Sequence, residues 1–328
     1  MSSDEVWTPD PTSLGGFAFI ATLLDPAVVL PFDLIPKHRL RRATPTEIEQ
    51  IRRLLLLNGA FSVFRQYRGN PYERDVVSEI QPDGSQKFHF AELIPDRWRY
   101  FVIAFEGSNS DAHDLELAGL ICRNPIEIVA TFVGWGEHLG PGLNPSAFFQ
   151  FYDKQHSPMI PQMLGESEIS EWLSIYQRWK IFEKPYAELA RAFEIFRRLR
   201  DIQELSSFHT LGMFTVIEAL VTHRPRSSET GDSLTHQVRT KLPLLAKRFT
   251  PLVEVQPYFP GVDPKTAWEV LYEYRSAIAH GRSADFTSKK LKPLQSETRA
   301  KEFLCDFVRA LRRHTLIEPE LISDLREC

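Results

Sequence analysis

With 328 residues, 43% of them hydrophobic and 25% charged, the chain is long enough for two domains and too apolar for whole-chain disorder. Its three cysteines, Cys122, Cys305 and Cys328, form no Cys-x-x-Cys pair, which excludes a disulfide framework and a structural zinc site and suits a reducing cytoplasm. A net charge of −4 excludes a bulk polyanion binder, so a nucleic acid would have to meet a local basic patch.

The start, Met1-Ser2-Ser3-Asp4-Glu5, is acidic and lacks a basic n-region, so no secretory signal is expected. The most apolar runs, 15–24 and 54–57, fall short of the ~20 residues a membrane span needs, and no membrane contact is expected. Residues 17–24 and 28–32 read as strands. Thr44-Pro45-Thr46-Glu47 marks a helix start: a threonine N-cap, a proline at the first helical position and a glutamate placed to close a capping box. That helix is expected to stop at Asn58-Gly59. Residues 76–81 and 86–91 flank Pro82-Asp83-Gly84-Ser85 and predict a hairpin. Residues 100–105 and 126–133 read as strands, and 110–122 as a short helix. Gly134-Trp135-Gly136 opens a Gly- and Pro-rich stretch to residue 161 that reads as a connector. Residues 1–160 therefore predict an α+β domain whose role the sequence leaves open.

From 161 to 328 the pattern is helical. Helices are expected over 167–182, from Pro185 to 199, over 204–222, from Asp232 or Ser233 towards Phe249, from Asp263-Pro264 to His280, and over 296–316. A short tail helix follows Pro319, and the whole predicts an all-α bundle. Charge follows the same division: residues 1–189 hold 17 Lys and Arg against 25 Asp and Glu, whereas residues 190–328 hold 22 against 18. A nucleic acid would meet the second part.

Phosphate-binding loops, dinucleotide glycine fingerprints, Gly-x-Ser-x-Gly elbows and His-Glu-x-x-His pairs are absent from the sequence. What remains is an arginine and a histidine with four residues between them, which occurs twice: Arg275 with His280, and Arg309 with His314. The first pair ends its helix in His280-Gly281. The second lies inside a helix beside Arg312 and Arg313, and reads as a solvated basic face. At ~100° per residue, Ala267, Leu271, Tyr274 and Ile278 share one apolar seam, Arg275 lies beside it, and His280 is about 140° further round. One straight helix cannot aim both side chains at one phosphate. Either its end deforms at Gly281, or two protomers share a cleft about a two-fold axis.

The segment from Tyr272 to Gly281, the helices at 190–199 and 211–221 with Glu218-Ala219-Leu220, and residues 234–245 together resemble the Apea-like domains of the HEPN superfamily. The resemblance covers about residues 185–316. It implies a HEPN-like bundle, a homodimer formed through it, and a metal-independent RNA endonuclease of the toxin or anti-phage abortive-infection type, with no cofactor. RNA carries its own nucleophile, the 2′-hydroxyl, so a proton-moving histidine and a guanidinium on the phosphate suffice. Arg275 and His280 are then the catalytic pair, with Glu218 orienting Arg275. Many nuclease members carry Asn, Asp or His after the arginine, where this chain has Ser276 on the substrate side. Lys289, Lys290 and Lys292 follow in a mobile basic loop suited to backbone phosphates. Two alternatives stand beside this reading: a non-catalytic HEPN module that binds RNA, a nucleotide or a protein, and an interaction scaffold whose N-terminal domain recognises an invader-derived trigger.

Overall fold

The computed structural model describes residues 14–57, 70–134, 163–203, 206–223 and 233–328. The chain divides into two compact units, one of residues 1–119 and 126–173, the other of residues 120–125 and 174–328. The N-terminal region mixes strands and helices, and the C-terminal region is a set of packed helices.

The elements of the N-terminal region are β1 (Gly15–Ile20), β2 (Leu23–Leu24), β3 (Phe32–Ile35), β4 (His38–Arg42), α1 (Pro45–Leu57), β5 (Arg74–Ile80), β6 (Gln86–Glu92), β7 (Phe101–Glu106), α2 (Ser110–Ile121), β8 (Ile128–Val133) and β9 (Met163–Leu164). Five strands form one antiparallel sheet in the order β3-β4-β7-β1-β8. β1 is buried at every position, as suits an interior strand, paired with β7 on one edge and β8 on the other. On one face, Ile51, Leu54 and Leu55 of α1 pack against Phe17, Phe19, Val102 and Phe132. Gly16 is dictated by spacing, because a Cβ there would overlap the Phe132 carbonyl.

The capping box forms. Thr44 N–H donates to Glu47 Oε2 at 2.8 Å, and Glu47 N–H donates back to Thr44 Oγ1 at 3.3 Å. The same carboxylate accepts two bonds from Arg41, at 2.7 and 2.8 Å, which ties the start of α1 to β4. The predicted hairpin also forms, as β5 paired with β6; Gly84 N–H bonds the Gln81 carbonyl at 2.9 Å.

The strand expected over 28–32 is not there. Asp25 turns the chain instead, its carboxylate accepting from Ala27 N–H at 2.8 Å and its carbonyl from Val28 N–H at 3.0 Å. Pairing begins at Phe32 and continues through a turn at Lys37 into β4, which the sequence reading missed. His38-Arg39-Leu40-Arg41-Arg42 is too basic to read as a strand, yet β4 is bonded on both edges, to β3 and β7. His38, Leu40 and Arg41 are buried there. The helix stop at Asn58-Gly59, the connector over 135–161 and the cap at Asp232 lie outside the described residues.

The helices are α3 (Glu166–Phe182), α4 (Ala187–Leu199), α5 (Ser207–Val221), α6 (Leu234–Ala246), α7 (Pro264–Ala279), α8 (Glu297–Ile317) and α9 (Pro319–Glu327), with a 3₁₀ turn at Lys292–Leu294 before α8. α5 is buried around most of its circumference, the pattern of an enclosed helix. It packs against α4, α6, α7, α8 and α9. Gly212 lets α4 approach, since a Cβ there would overlap the Leu199 side chain. Side chains of Ser206, Ser233, Asp263 and Ser296 cap α5, α6, α7 and α8, each contributing roughly 1 kcal/mol. Trp268 of α7 meets Phe307 of α8 edge-on at 4.6 Å and joins these two helices into the core. Among the described residues no helix is long and apolar enough to cross a membrane.

Candidate functional site

α7 begins where Asp263 Oδ1 accepts from the N–H groups of Lys265 and Thr266, at 3.0 and 3.1 Å, with Pro264 at the first helical position. Of the predicted seam, Ala267, Leu271 and Tyr274 are fully buried and Ile278 is half-buried. Tyr272 and Arg275, one turn apart beside that seam, both reach Glu218 on α5. The Tyr272 hydroxyl donates to Glu218 Oε1 at 2.9 Å. Arg275 Nε lies 3.3 Å from that same oxygen, and Nη2 lies 3.5 Å from Oε2. Charge-assisted N–H···O bonds close to about 2.7–2.9 Å, so this ion pair is loose. Phe214, one turn before Glu218, meets the Tyr272 ring edge-on at 5.6 Å. Burial, and then the Glu218 carboxylate, push the Tyr272 phenol above its ordinary value, so it stays protonated as a donor. Sequence reasoning paired Glu218 with Arg275 but missed Tyr272. The signal was its position three residues before the arginine, on the same flank of the helix.

His280 is the residue on which α7 stops. Gly281, at φ 66°, takes the left-handed conformation that L side chains disfavour. Its N–H bonds the Ile278 carbonyl at 2.9 Å, and Arg282 N–H bonds the Ala277 carbonyl at 2.9 Å. These two bonds are a Schellman motif, which satisfies the last carbonyls and turns the chain off the helix axis. His280 is left exposed at that end. Among the described residues no hydrogen bond joins it to Arg275, in keeping with their divergence around the helix. Arg275 and Glu218 are brought together; Arg275 and His280 are not.

Ser276 is half-buried, and its carbonyl accepts from His280 N–H at 3.1 Å. Lys289, Lys290 and Lys292 are exposed. Lys290 Nζ lies 3.7 Å from Glu273 Oε2 of α7, with both side chains largely in solvent, so the pair adds little. The segment that carries the lysines is anchored, where a mobile loop was expected. Asp285 Oδ1 accepts from Thr287 N–H at 2.9 Å, Phe286 packs edge-on against Tyr274 at 5.2 Å, and Leu291 and Leu294 are buried.

The second arginine–histidine pair is not a solvated face. His314 and Arg312 are buried, at 4% and 0% exposure. His314 packs 5.6 Å from the Phe249 ring, and burial lowers it below its ordinary value. The Arg312 guanidinium stacks 3.2 Å over the Phe196 ring, and its Nε and Nη2 reach the Val308 and Leu120 carbonyls, each at 3.4 Å. The reason is that α8 packs against α5, α9 and the 3₁₀ turn at once. A helix covered on several sides hides basic residues that a single amphipathic stripe would have left in water.

Among the described residues no three His, Cys, Asp or Glu side chains are placed to hold a metal ion. Comparison with protein-family models, with curated proteins and with solved structures finds no match for this chain.

Proposed function

We propose that this chain is a metal-independent RNA endonuclease of the HEPN type, a toxin or abortive-infection effector acting in the cytoplasm. The observation that carries the reading is the exposed His280-Gly281 helix end on the same helix as an arginine aimed by Glu218 and Tyr272. A guanidinium has five N–H donors. The loose pair with Glu218 directs Arg275 while leaving donors for a phosphate.

In the proposed reaction the RNA 2′-oxygen attacks the adjacent phosphorus and the 5′-oxygen leaves. Arg275 holds the charge gathering on the non-bridging oxygens, and His280 gives its proton to the departing 5′-oxygen. The products are a 2′,3′-cyclic phosphate and a free 5′-hydroxyl. Because Arg275 and His280 diverge around α7, a homodimer supplies them to one cleft, and a second imidazole there takes the 2′-hydroxyl proton. Ser276 borders that cleft, Lys289, Lys290 and Lys292 meet flanking phosphates, and the N-terminal region recognises the trigger.

The test is incubation of the purified chain with structured RNA in EDTA. Cleavage leaving cyclic-phosphate ends, lost in Arg275→Ala and His280→Ala, is the expected result. Strict Mg²⁺ dependence contradicts the mechanism. Binding without cleavage returns the chain to the non-catalytic reading, which the occupation of Arg275 by Glu218 favours.

A further inference from the structure

The α8 segment around Arg309 borders a cleft of about 370 Å³ that lies wholly within the helical unit. Three guanidiniums line it, from Arg123, Arg309 and Arg313, against the two carboxylates of Asp306 and Glu254. Asp306 is already engaged: Oδ1 accepts from Arg309 Nη1 at 3.0 Å and Oδ2 from the Tyr258 hydroxyl at 2.5 Å. That clamp fixes the direction of Arg309 in advance and leaves its other N–H groups for a ligand, which lowers the ordering cost of binding.

A second observation comes from inside the same turn of α8. Arg312 is fully buried, its Nη1 makes no hydrogen bond, and its partners are two carbonyls and an aromatic ring. A buried cation without a carboxylate is costly. Arg309 and Arg313 press on it further, and burial first, then these two neighbours, drive it well below its ordinary value. Arg309 and Arg313, one turn apart on α8, both line the cleft beside this buried guanidinium.

We propose that the cleft binds a small phosphate monoester, with the phosphoryl group on Arg123, Arg309 and Arg313 and the rest of the ligand against Leu252 and Tyr258. The planar guanidinium fork matches phosphate oxygens in pairs. The cleft volume lies in the range of small-molecule sites, roughly 300–1,000 Å³. An adjoining apolar cleft floored by Trp268, Phe303 and Phe307 shares the Leu252 to Glu254 wall, and gives a planar group somewhere to rest. None of the residues lining the cleft belongs to the proposed nuclease end, and Trp268 of the adjoining cleft stands about 18 Å from His280 along α7 at ~1.5 Å per residue. It does not depend on the nuclease reading.

The experiment is calorimetric titration of the full chain with adenosine 5′-monophosphate, inorganic phosphate and adenosine. Saturable binding of the monophosphate at one site per chain, weaker binding of phosphate and none of adenosine is expected. Affinity should fall about tenfold or more in Arg123→Ala and in Arg309→Ala, because each removes a charge-assisted contact. Arg123 is exposed, and circular dichroism of each variant, matched to the parent, ties a loss of binding to the cleft rather than to the fold. No saturable binding, affinity unchanged in both variants, or adenosine binding as well as its monophosphate overturns the proposal. So does Arg123-dependent binding of a single-stranded oligoribonucleotide with no binding of the monophosphate, which assigns the cleft to an RNA backbone.

Discussion

Tyr272 donates its hydroxyl hydrogen bond to Glu218 Oε1 at 2.9 Å, the same oxygen that Arg275 Nε approaches at 3.3 Å. One carboxylate on α5 thus holds two side chains of α7, and the tyrosine makes the shorter contact. Tyr272→Phe deletes only that hydroxyl and leaves the ring packed on Phe214. It should cost about 0.5–1.5 kcal/mol in urea unfolding. A double-mutant cycle with Glu218→Gln isolates the pair; a coupling indistinguishable from zero would mean the bond contributes nothing to holding α5 against α7.

A second prediction separates two roles of Glu47. Thr44→Ala removes one cap acceptor and should cost about 1 kcal/mol. Glu47→Ala removes the reciprocal cap and also strands Arg41, whose side chain is only 10% exposed. Truncating one partner of a buried pair costs about 3–5 kcal/mol, so this variant should lose clearly more. Equal losses in parallel urea melts would show that the Arg41 bridge is energetically idle.

These helix starts were legible in the sequence because capping is local chemistry: Thr44 was read as a cap, and at the starts expected near Ser233, Asp263 and Ser296 each of these side chains bonds a backbone N–H within three residues. The Gly281 stop was legible for a similar reason, from the left-handed turn, whereas the Arg275–Glu218 pairing was implied by the family resemblance and not by any local pattern, because Glu218 lies on a different helix. β4 was not, because its character as a strand comes from two neighbouring strands rather than from its own basic residues. Arg312 and His314 were misread for the same kind of reason. Charge patterning describes one helix in water, and α8 is enclosed by partners that no local pattern reveals. Tyr272 falls between these cases: its spacing from Arg275 was visible, but its partner sits on another helix.

Acid should destabilise the chain through two of its buried histidines. His38 and His314 are both held below their ordinary value, by burial first in each case. The unfolded state therefore binds the proton more readily than the folded one, and stability falls as pH drops through the ordinary histidine value of about 6.5. Denaturant midpoints taken from pH 7.5 down to 5 should decline, with each histidine adding at most about 1.4 kcal/mol per pH unit. His314→Gln should flatten part of that slope. A stability that rises on acidification through this range contradicts the assignment.

The last prediction decides between the two arginine–histidine pairs, and burial now changes what each alanine variant means. His280 is exposed at the end of α7, so His280→Ala should leave unfolding within about 0.5 kcal/mol of the parent. If His280 is the general acid, the same variant loses about 10²–10⁴-fold in single-turnover cleavage. His314 packs beside Phe249 with 4% exposure, and its truncation leaves a void. His314→Ala should therefore cost about 1–3 kcal/mol of stability. Any loss of cleavage should follow the folded fraction and vanish when rates are normalised to it by circular dichroism well below the melting temperature. A folded His314→Ala protein that fails to cut, or a His280→Ala protein that cuts at the parent rate, would place the chemistry on α8 and not at the end of α7.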